Sequence, residues 1–304
     1  MNKIAFLLLF LLLILPLNAQ EPKNPKKSSP KIFGDGIIST ATEYETHPAF
    51  SPSGDTVYFL KCAADLSKSV IHFSRKTNGK WSKPEVVSFS GKYFDADPFV
   101  TKDGNTIYFT SNRPINEGDP VKTDTDIWKA EKTANSEWGK PVHLGSTINS
   151  SGDEHYPTFA DNGNMYFGSS RDGGNGGSDI YFAKFTNGKY AVPENLGNII
   201  NTANNEYEPF IEINEKFLIF MATIPKGLAN ADFYISYNQK GKWSSPVKLA
   251  VPLNSTATEW SPKITRDGKY FFFGSTRNRK SFDEKTKDLS DIYQVDIKTL
   301  NLKK

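Results

Sequence analysis

The chain has 304 residues, 37% hydrophobic and 13% aromatic, with 37 Lys and Arg against 34 Asp and Glu. A net charge of +3 spread without a basic stripe excludes a dedicated nucleic-acid binder. A single cysteine, Cys62, excludes an internal disulfide, so packing has to hold the fold.

Lys3 is followed by an apolar run from Ile4 to Leu15, a breaking Pro16, and Leu17-Asn18-Ala19 before Gln20. This predicts a signal peptide over residues 1–19, and hence export to the periplasm or the extracellular medium. The run is short for a bilayer span. Leu17 is a poor residue for a cleavage site, which leaves an uncleaved anchor as the alternative. The apolar run lacks a following cysteine for lipidation, and no later stretch is apolar enough to span a membrane. Residues 20–31, mixing Pro, Ser and Lys, read as a disordered linker. Residues 32–304 read as one domain.

From Glu45 onward one segment is written five times. An acid stands three residues before a proline at Glu45/Pro48, Asp95/Pro98, Glu154/Pro157, Glu206/Pro209 and Glu259/Pro262. The prolines are 50, 59, 52 and 53 residues apart. Each unit continues with a turn, an aromatic and β-branched burst such as Thr106-Ile-Tyr-Phe-Thr110, an Asp-Ile-Tyr-like strand, and a Trp-x-x-Pro segment in most copies. In the second unit the strands are expected at 98–100, 106–110, 126–129 and 138–144. Asp103-Gly104, Asn162-Gly163 and Asp267-Gly268, with Ser53-Gly54 close to the pattern, predict tight hairpins between strands one and two. Four-stranded units of about 50 residues are blades of a β-propeller. The fifth unit has no Trp-x-x-Pro strand, whereas Phe33-Gly-Asp-Gly-Ile-Ile38 ahead of the first resembles Leu144-Gly-Ser-Thr-Ile-Asn149. The predicted fold is therefore all-β: a five-bladed β-propeller of four-stranded antiparallel blades, its last blade closed by the N-terminal strand, which removes exposed edges.

The units resemble the WD-like β-propeller repeats of TolB-type proteins of bacterial envelopes. The best match is Glu154-His-Tyr-Pro157, then Tyr166-Phe-Gly-Ser-Ser-Arg171, Asp172-Gly-Gly and Asp179-Ile-Tyr181. The resemblance covers about residues 32–298 and implies a docking scaffold or a domain of an envelope protein. Departures fall in the first unit, at Lys61-Cys62 and Val70, and in the fourth, at Met221-Ala222-Thr223.

Positions repeated in every unit most simply serve the blade. Glu45, Asp95, Glu154, Glu206 and Glu259 are expected to be frame carboxylates near the channel, accepting turn amides or pairing with Arg. The alternative is a carboxylate ring around a Ca²⁺ ion; no other cofactor or metal is called for. Arg113, Arg171 and Arg277 are expected to bridge to carboxylates, with Asp126, Asp179, Asp232 and Asp291 as candidates. Trp81, Trp138, Trp243 and Tyr190 are expected to cover blade edges. The glycine-rich stretch 172–177 lacks the following helix of a phosphate cradle and reads as a loop.

Positions that vary on the frame are the candidates for recognition. His47, Asp97, His155, Tyr156, Tyr207, Glu208 and Trp260 flank the repeat prolines, at the end that also carries the loops 114–125 and 278–290. Aromatic anchors among acids suit a partner interface. The expected function is a monomeric, exported binding module or scaffold for a protein or envelope glycan, with no catalytic residue assigned. The alternative is a glycoside hydrolase drawing on Asp95, Asp97, Glu154, Glu206 and Glu208. Near-equivalent acids lack the contrasting environments that a catalytic pair needs. No Gly-x-Ser-x-Gly elbow and no histidine zinc spacing occur.

Overall fold

The computed structural model describes residues 28–63, 67–223, 231–277 and 289–303. The expected signal peptide, most of the expected linker and most of the loop 278–290 lie outside them. The second strand of each blade anchors the core: Val57 and Phe59, Ile107 and Phe109, Met165 and Phe167, Leu218 and Phe220, Phe271 and Phe273 are at most 1% exposed. Their spacing of two puts each pair on one face of its strand, and each such side chain contributes about 1.5–3 kcal/mol on burial.

Five antiparallel sheets make the five blades. Blade one comprises Tyr44–Phe50, Thr56–Cys62, Ser69–Thr77 and Glu85–Val86; blade two comprises Asp95–Val100, Thr106–Ser111, Asp126–Glu131 and Val142–His143. Blade three is Glu154–Phe159, Met165–Ser169, Asp179–Ala183 and Glu194–Asn195; blade four is Asn205–Ile211, Phe217–Thr223, Ala231–Gln239 and Val247–Lys248. Blade five holds Glu259–Ile264, Tyr270–Ser275 and Asp291–Asp296, and its outer strand is the N-terminal Lys31–Ile32. Lys31 faces Gln294, Ile32 faces Tyr293, and the Phe33 amide donates to the Ile292 carbonyl at 2.8 Å. The predicted closure is thus observed, with Lys31 already inside the blade. Among the described residues no helix is long and apolar enough to cross a membrane.

The outer strand departs from expectation. Trp138 makes only an isolated bridge to Lys132, and regular pairing begins at Val142. In blades one and four, Lys80–Trp81 and Lys242–Trp243 pair near the end of strand three, and pairing resumes after Pro84 and Pro246. The proline of Trp-x-x-Pro has no N–H to give the ladder, so it cuts the strand in two.

The aromatic residue of that motif instead joins blades. Trp81 packs edge-on to Phe33 at 5.4 Å, Trp138 to Tyr58 at 6.0 Å and Trp243 to Tyr166 at 6.3 Å. Tyr190 joins the cluster that holds Tyr108. Each ring therefore rests on the preceding blade. A second device recurs in the connectors that leave the blades: Asn149, Asn201 and Asn254 each accept from the amide and donate to the carbonyl of one strand-three residue of the blade just completed, Ile127, Ile180 and Phe233. Ser39 accepts from the Ile292 amide and Ser90 from that of Ile71.

Candidate functional site in the propeller channel

The innermost strand of every blade is bulged at the repeat proline, with register shifts at 46/49, 96/99, 155/158, 207/210 and 260/263. The bulge puts one non-glycine residue per blade at positive φ: His47 (54°), Asp97 (52°), Tyr156 (52°), Glu208 (49°) and Ser261 (59°). Such a conformation costs about 1–2 kcal/mol per residue. Its presence in all five blades makes it a property of the frame, not of one reactive residue. The channel is consequently layered, with side chains of three successive repeat positions stacked along it.

The middle layer is a polar knot around His47, whose Nδ1 is buried without a hydrogen-bond partner. His47 Nε2 lies 3.1 Å from Asp97 Oδ1 and 3.1 Å from Glu208 Oε1. Asp97 Oδ2 accepts the Tyr156 amide at 3.0 Å, and Glu208 Oε2 accepts the Ser261 amide. Nε2 carries one N–H, which bonds to Glu208, so three of the four carboxylate oxygens accept a hydrogen bond and Asp97 Oδ1 meets the ring as an ion-pair contact. Burial alone would lower the His47 pKa, but Glu208 and Asp97 raise it above its ordinary value. Burial alone would raise that of Glu208, but His47 and the Ser261 amide bring it below the usual carboxylate range.

Above the knot opens a pocket of about 650 Å³, at the end carrying the loops between strands two and three. His47, Asp97, His155, Tyr207, Glu208 and Trp260 all line it. Tyr156 does not: it is 3% exposed, and its hydroxyl donates to the Pro262 carbonyl at 3.0 Å. The bulge turns Tyr156 into the middle layer, whereas its neighbour His155 points to the pocket. Trp260 stacks on Tyr44 at 5.6 Å and donates from Nε1 to Ser290 Oγ at 3.2 Å. Tyr207 is half-buried beside His155, 5.9 Å between ring centroids. Cys62, half-buried, also lines the pocket; burial pushes its thiol up to about 11, so it is no thiolate at neutral pH.

The repeat acids do not line this pocket. Glu45, Asp95, Glu154, Glu206 and Glu259 are at most 1% exposed, each within the innermost strand of its blade. Each accepts from a Ser or Thr four or five residues earlier: Thr40, Ser90, Ser150, Thr202 and Ser255. Arg113, Arg171 and Arg277 pair with Asp95, Glu154 and Glu259 at 2.5, 3.1 and 3.1 Å. These arginines thus bridge to the acid of their own first strand, not to the strand-three aspartates. Asp126 instead meets Lys122 and His143, and Asp232 meets Lys248. Asp179 accepts the amides of Asn175 and Gly176, so the glycine-rich loop spends its amides on its own carboxylate.

In blade one Lys61 stands opposite Glu45, 3.9 Å away, at the position held by Ser111, Ser169 and Ser275 in the blades with an arginine, and no ion pair to Glu206 occurs among the described residues. Burial raises Glu45 to about 7 despite Thr40 and Lys61, and raises Glu206 despite Thr202. Among the described residues, no three His, Cys, Asp or Glu side chains are grouped to hold a metal ion.

Two features escaped the sequence reading. Gly168 and Gly274 lie directly across from His155 and Trp260, where a Cβ would meet the rings at 2.3 and 2.4 Å. A large ring facing the pocket is thus matched by glycine on the neighbouring strand, a signal present in Tyr-Phe-Gly-Ser and Phe-Phe-Gly-Ser. Lys263, 7% exposed, occupies the channel position that is Ala49, Phe99, Thr158 and Phe210 in the other blades.

No family model matches the chain, and no curated protein matches it in sequence. Solved structures do match in fold. TolB from Acinetobacter baumannii superposes with a TM-score of 0.51 at 14% identity, over 85% of this chain and 56% of that one. The α-L-arabinofuranosidase from Lactobacillus brevis superposes at 0.53 and 12% identity, over 85% of this chain and 92% of its own. The catalytic domain of the Coprinopsis cinerea GH62 α-L-arabinofuranosidase gives 0.54 at 12% identity, covering 88% and 97%. At these identities the likeness establishes the propeller fold. The chain spans about half the length of TolB.

Proposed function

We propose that the protein is an exported, non-catalytic binding module or scaffold whose partner, a protein or an envelope glycan, docks at the 650 Å³ mouth pocket. One observation carries the reading: the two carboxylates on the pocket floor, Asp97 and Glu208, both lie against His47 Nε2 and each accepts a backbone amide with its other oxygen. A glycoside hydrolase needs one carboxyl holding a proton toward the leaving oxygen and a second presented as base or nucleophile. A knot that consumes both groups supports binding over bond cleavage. The wall of the pocket, by contrast, offers ring faces of Tyr207, Trp260 and Phe94 beside polar His155 and Asp153. Rings that combine apolar area with a polar handle suit recognition of either partner class. The fold likeness to a TolB is compatible with this reading, and the likeness to arabinofuranosidases keeps the hydrolase as the competing one.

Affinity capture from envelope extract tests it, with wild type beside Tyr207→Ala, whose fold is checked by circular dichroism. Tyr207 is chosen because Trp260 is also tied to Tyr44 and Ser290. A protein or glycan held by wild type and lost by Tyr207→Ala is expected. Equal recovery by both moves the site away from the pocket, and glycan fragments released during capture favour the hydrolase.

A further inference from the structure

Below the knot the channel opens into a second cavity of about 260 Å³, at the end carrying the hairpins between strands one and two. Its walls include Phe50, Phe99, Phe159, Phe210 and Phe217, and Lys263 lines it among them. The other charged groups on the lining have partners. Lys102 donates to the Asp161 carbonyl at 2.7 Å, Arg266 grips both Asp161 carboxylate oxygens at 2.8 Å, and Glu212 accepts from Asn214 and Lys216. Lys263 differs: among the described residues no hydrogen bond or ion pair reaches its ammonium. Its Nζ sits 4.8, 5.2 and 5.9 Å from the ring centroids of Tyr156, Phe99 and Phe210.

An ammonium carries three donors, and ring faces satisfy its charge without accepting conventional hydrogen bonds. The carboxylates of the layer above, Asp97 and Glu208, are engaged by His47 and backbone amides. A single buried cation with unused donors, at the wall of an aromatic cavity, is complementary to a ligand with one negative charge and an apolar body. A phosphate dianion would call for more than one cation. The volume holds roughly nine groups of water size at about 30 Å³ each. We propose that this cavity binds a small apolar carboxylic acid, its carboxylate on Lys263 Nζ and its hydrocarbon or aromatic body against the phenylalanine walls. Burial lowers Lys263 to about 8 against the pull of Asp97 and Glu208, which leaves most of it charged at neutral pH. The site is independent of the mouth pocket and of what binds there.

The test is titration calorimetry of the purified protein at neutral pH with octanoate, and with octanol and octylamine as its uncharged and cationic counterparts. Wild type is compared with Lys263→Met, which keeps an unbranched chain and removes a buried charge, a change that proteins tolerate. Saturable octanoate binding is expected, at least about tenfold tighter than octanol, with octylamine rejected and the octanoate preference abolished in Lys263→Met. Absence of saturable octanoate binding overturns the proposal. So does octanol binding as tightly as octanoate, or Lys263→Met retaining the preference. Should Lys263→Met not fold, nuclear Overhauser contacts from octanoate methylenes to the Phe99 and Phe210 rings of wild type decide the matter. Their absence overturns the proposal.

Discussion

At the scale of single residues, the blades without an arginine show what the arginine does. Glu154 is buried against Arg171 and two hydroxyls, and the pairing compensates much of the desolvation that burial imposes. Glu45 has only Thr40 and a more distant Lys61, and burial raises it to about 7. The unfolded carboxyl titrates at its ordinary 4.5. Between those values the folded state keeps a proton that the unfolded chain has released, so stability from this group falls as pH rises through the window. Glu206, also raised, acts with the same sign. Glu45→Gln removes one titrating group, and its melting temperature should fall less than that of wild type between about pH 5 and about pH 8. Thermal melts by circular dichroism across that range check it; parallel declines would contradict the assignment.

At the scale of elements, the repeat pins the connector leaving a blade to strand three of that blade by one side chain. Asn201 Oδ1 accepts the Ile180 amide at 2.8 Å and its Nδ2 donates to the Ile180 carbonyl at 2.9 Å, all buried. Asn201→Ala orphans the Ile180 amide, while the Ile180 carbonyl keeps the Leu196 amide at 3.1 Å, and should cost about 2 kcal/mol, read by urea denaturation. A loss below about 0.5 kcal/mol would show that water replaces the pin. The asparagines were in plain view in the Leu-Gly-x-x-Ile-Asn segments, yet a motif of that kind says nothing of which backbone it will meet. The strands were more legible. Alternating buried residues such as Ile107 and Phe109, and turn glycines such as Gly104 at a φ of 72°, leave a two-residue period and a conformational requirement in the sequence. What the period hid was the bulge. It shifts register inside the innermost strand, so that His155 faces the pocket while Tyr156 turns inward. The site was therefore legible as a set of positions around the prolines, but its depth and layering were not. Lys263 was missed, although it is the one charged residue at its repeat position, a comparison that five internal copies allow without any relative.

At the scale of the whole molecule, the ring depends on its first described strand. Lys31–Ile32 completes blade five, so the two ends of the chain close one sheet. Removing residues 1–32 would bare the edge of Asp291–Asp296, lower the melting temperature and promote association, seen by light scattering as the concentration rises. A shortened protein that melts with the full chain and stays monomeric would contradict this closure. The ring in turn gives the channel two unlike ends, a mixed polar and aromatic mouth and an apolar base, parted by the His47–Asp97–Glu208 knot. The mouth is the proposed docking site. Amide hydrogen exchange of the protein, with and without the partner captured from envelope extract, tests it most directly. Protection is expected to concentrate at residues 153–157, 205–209 and 258–261 and in the loop 114–125. Protection confined to the outer strands or the lower hairpins, with the mouth unchanged, would contradict it.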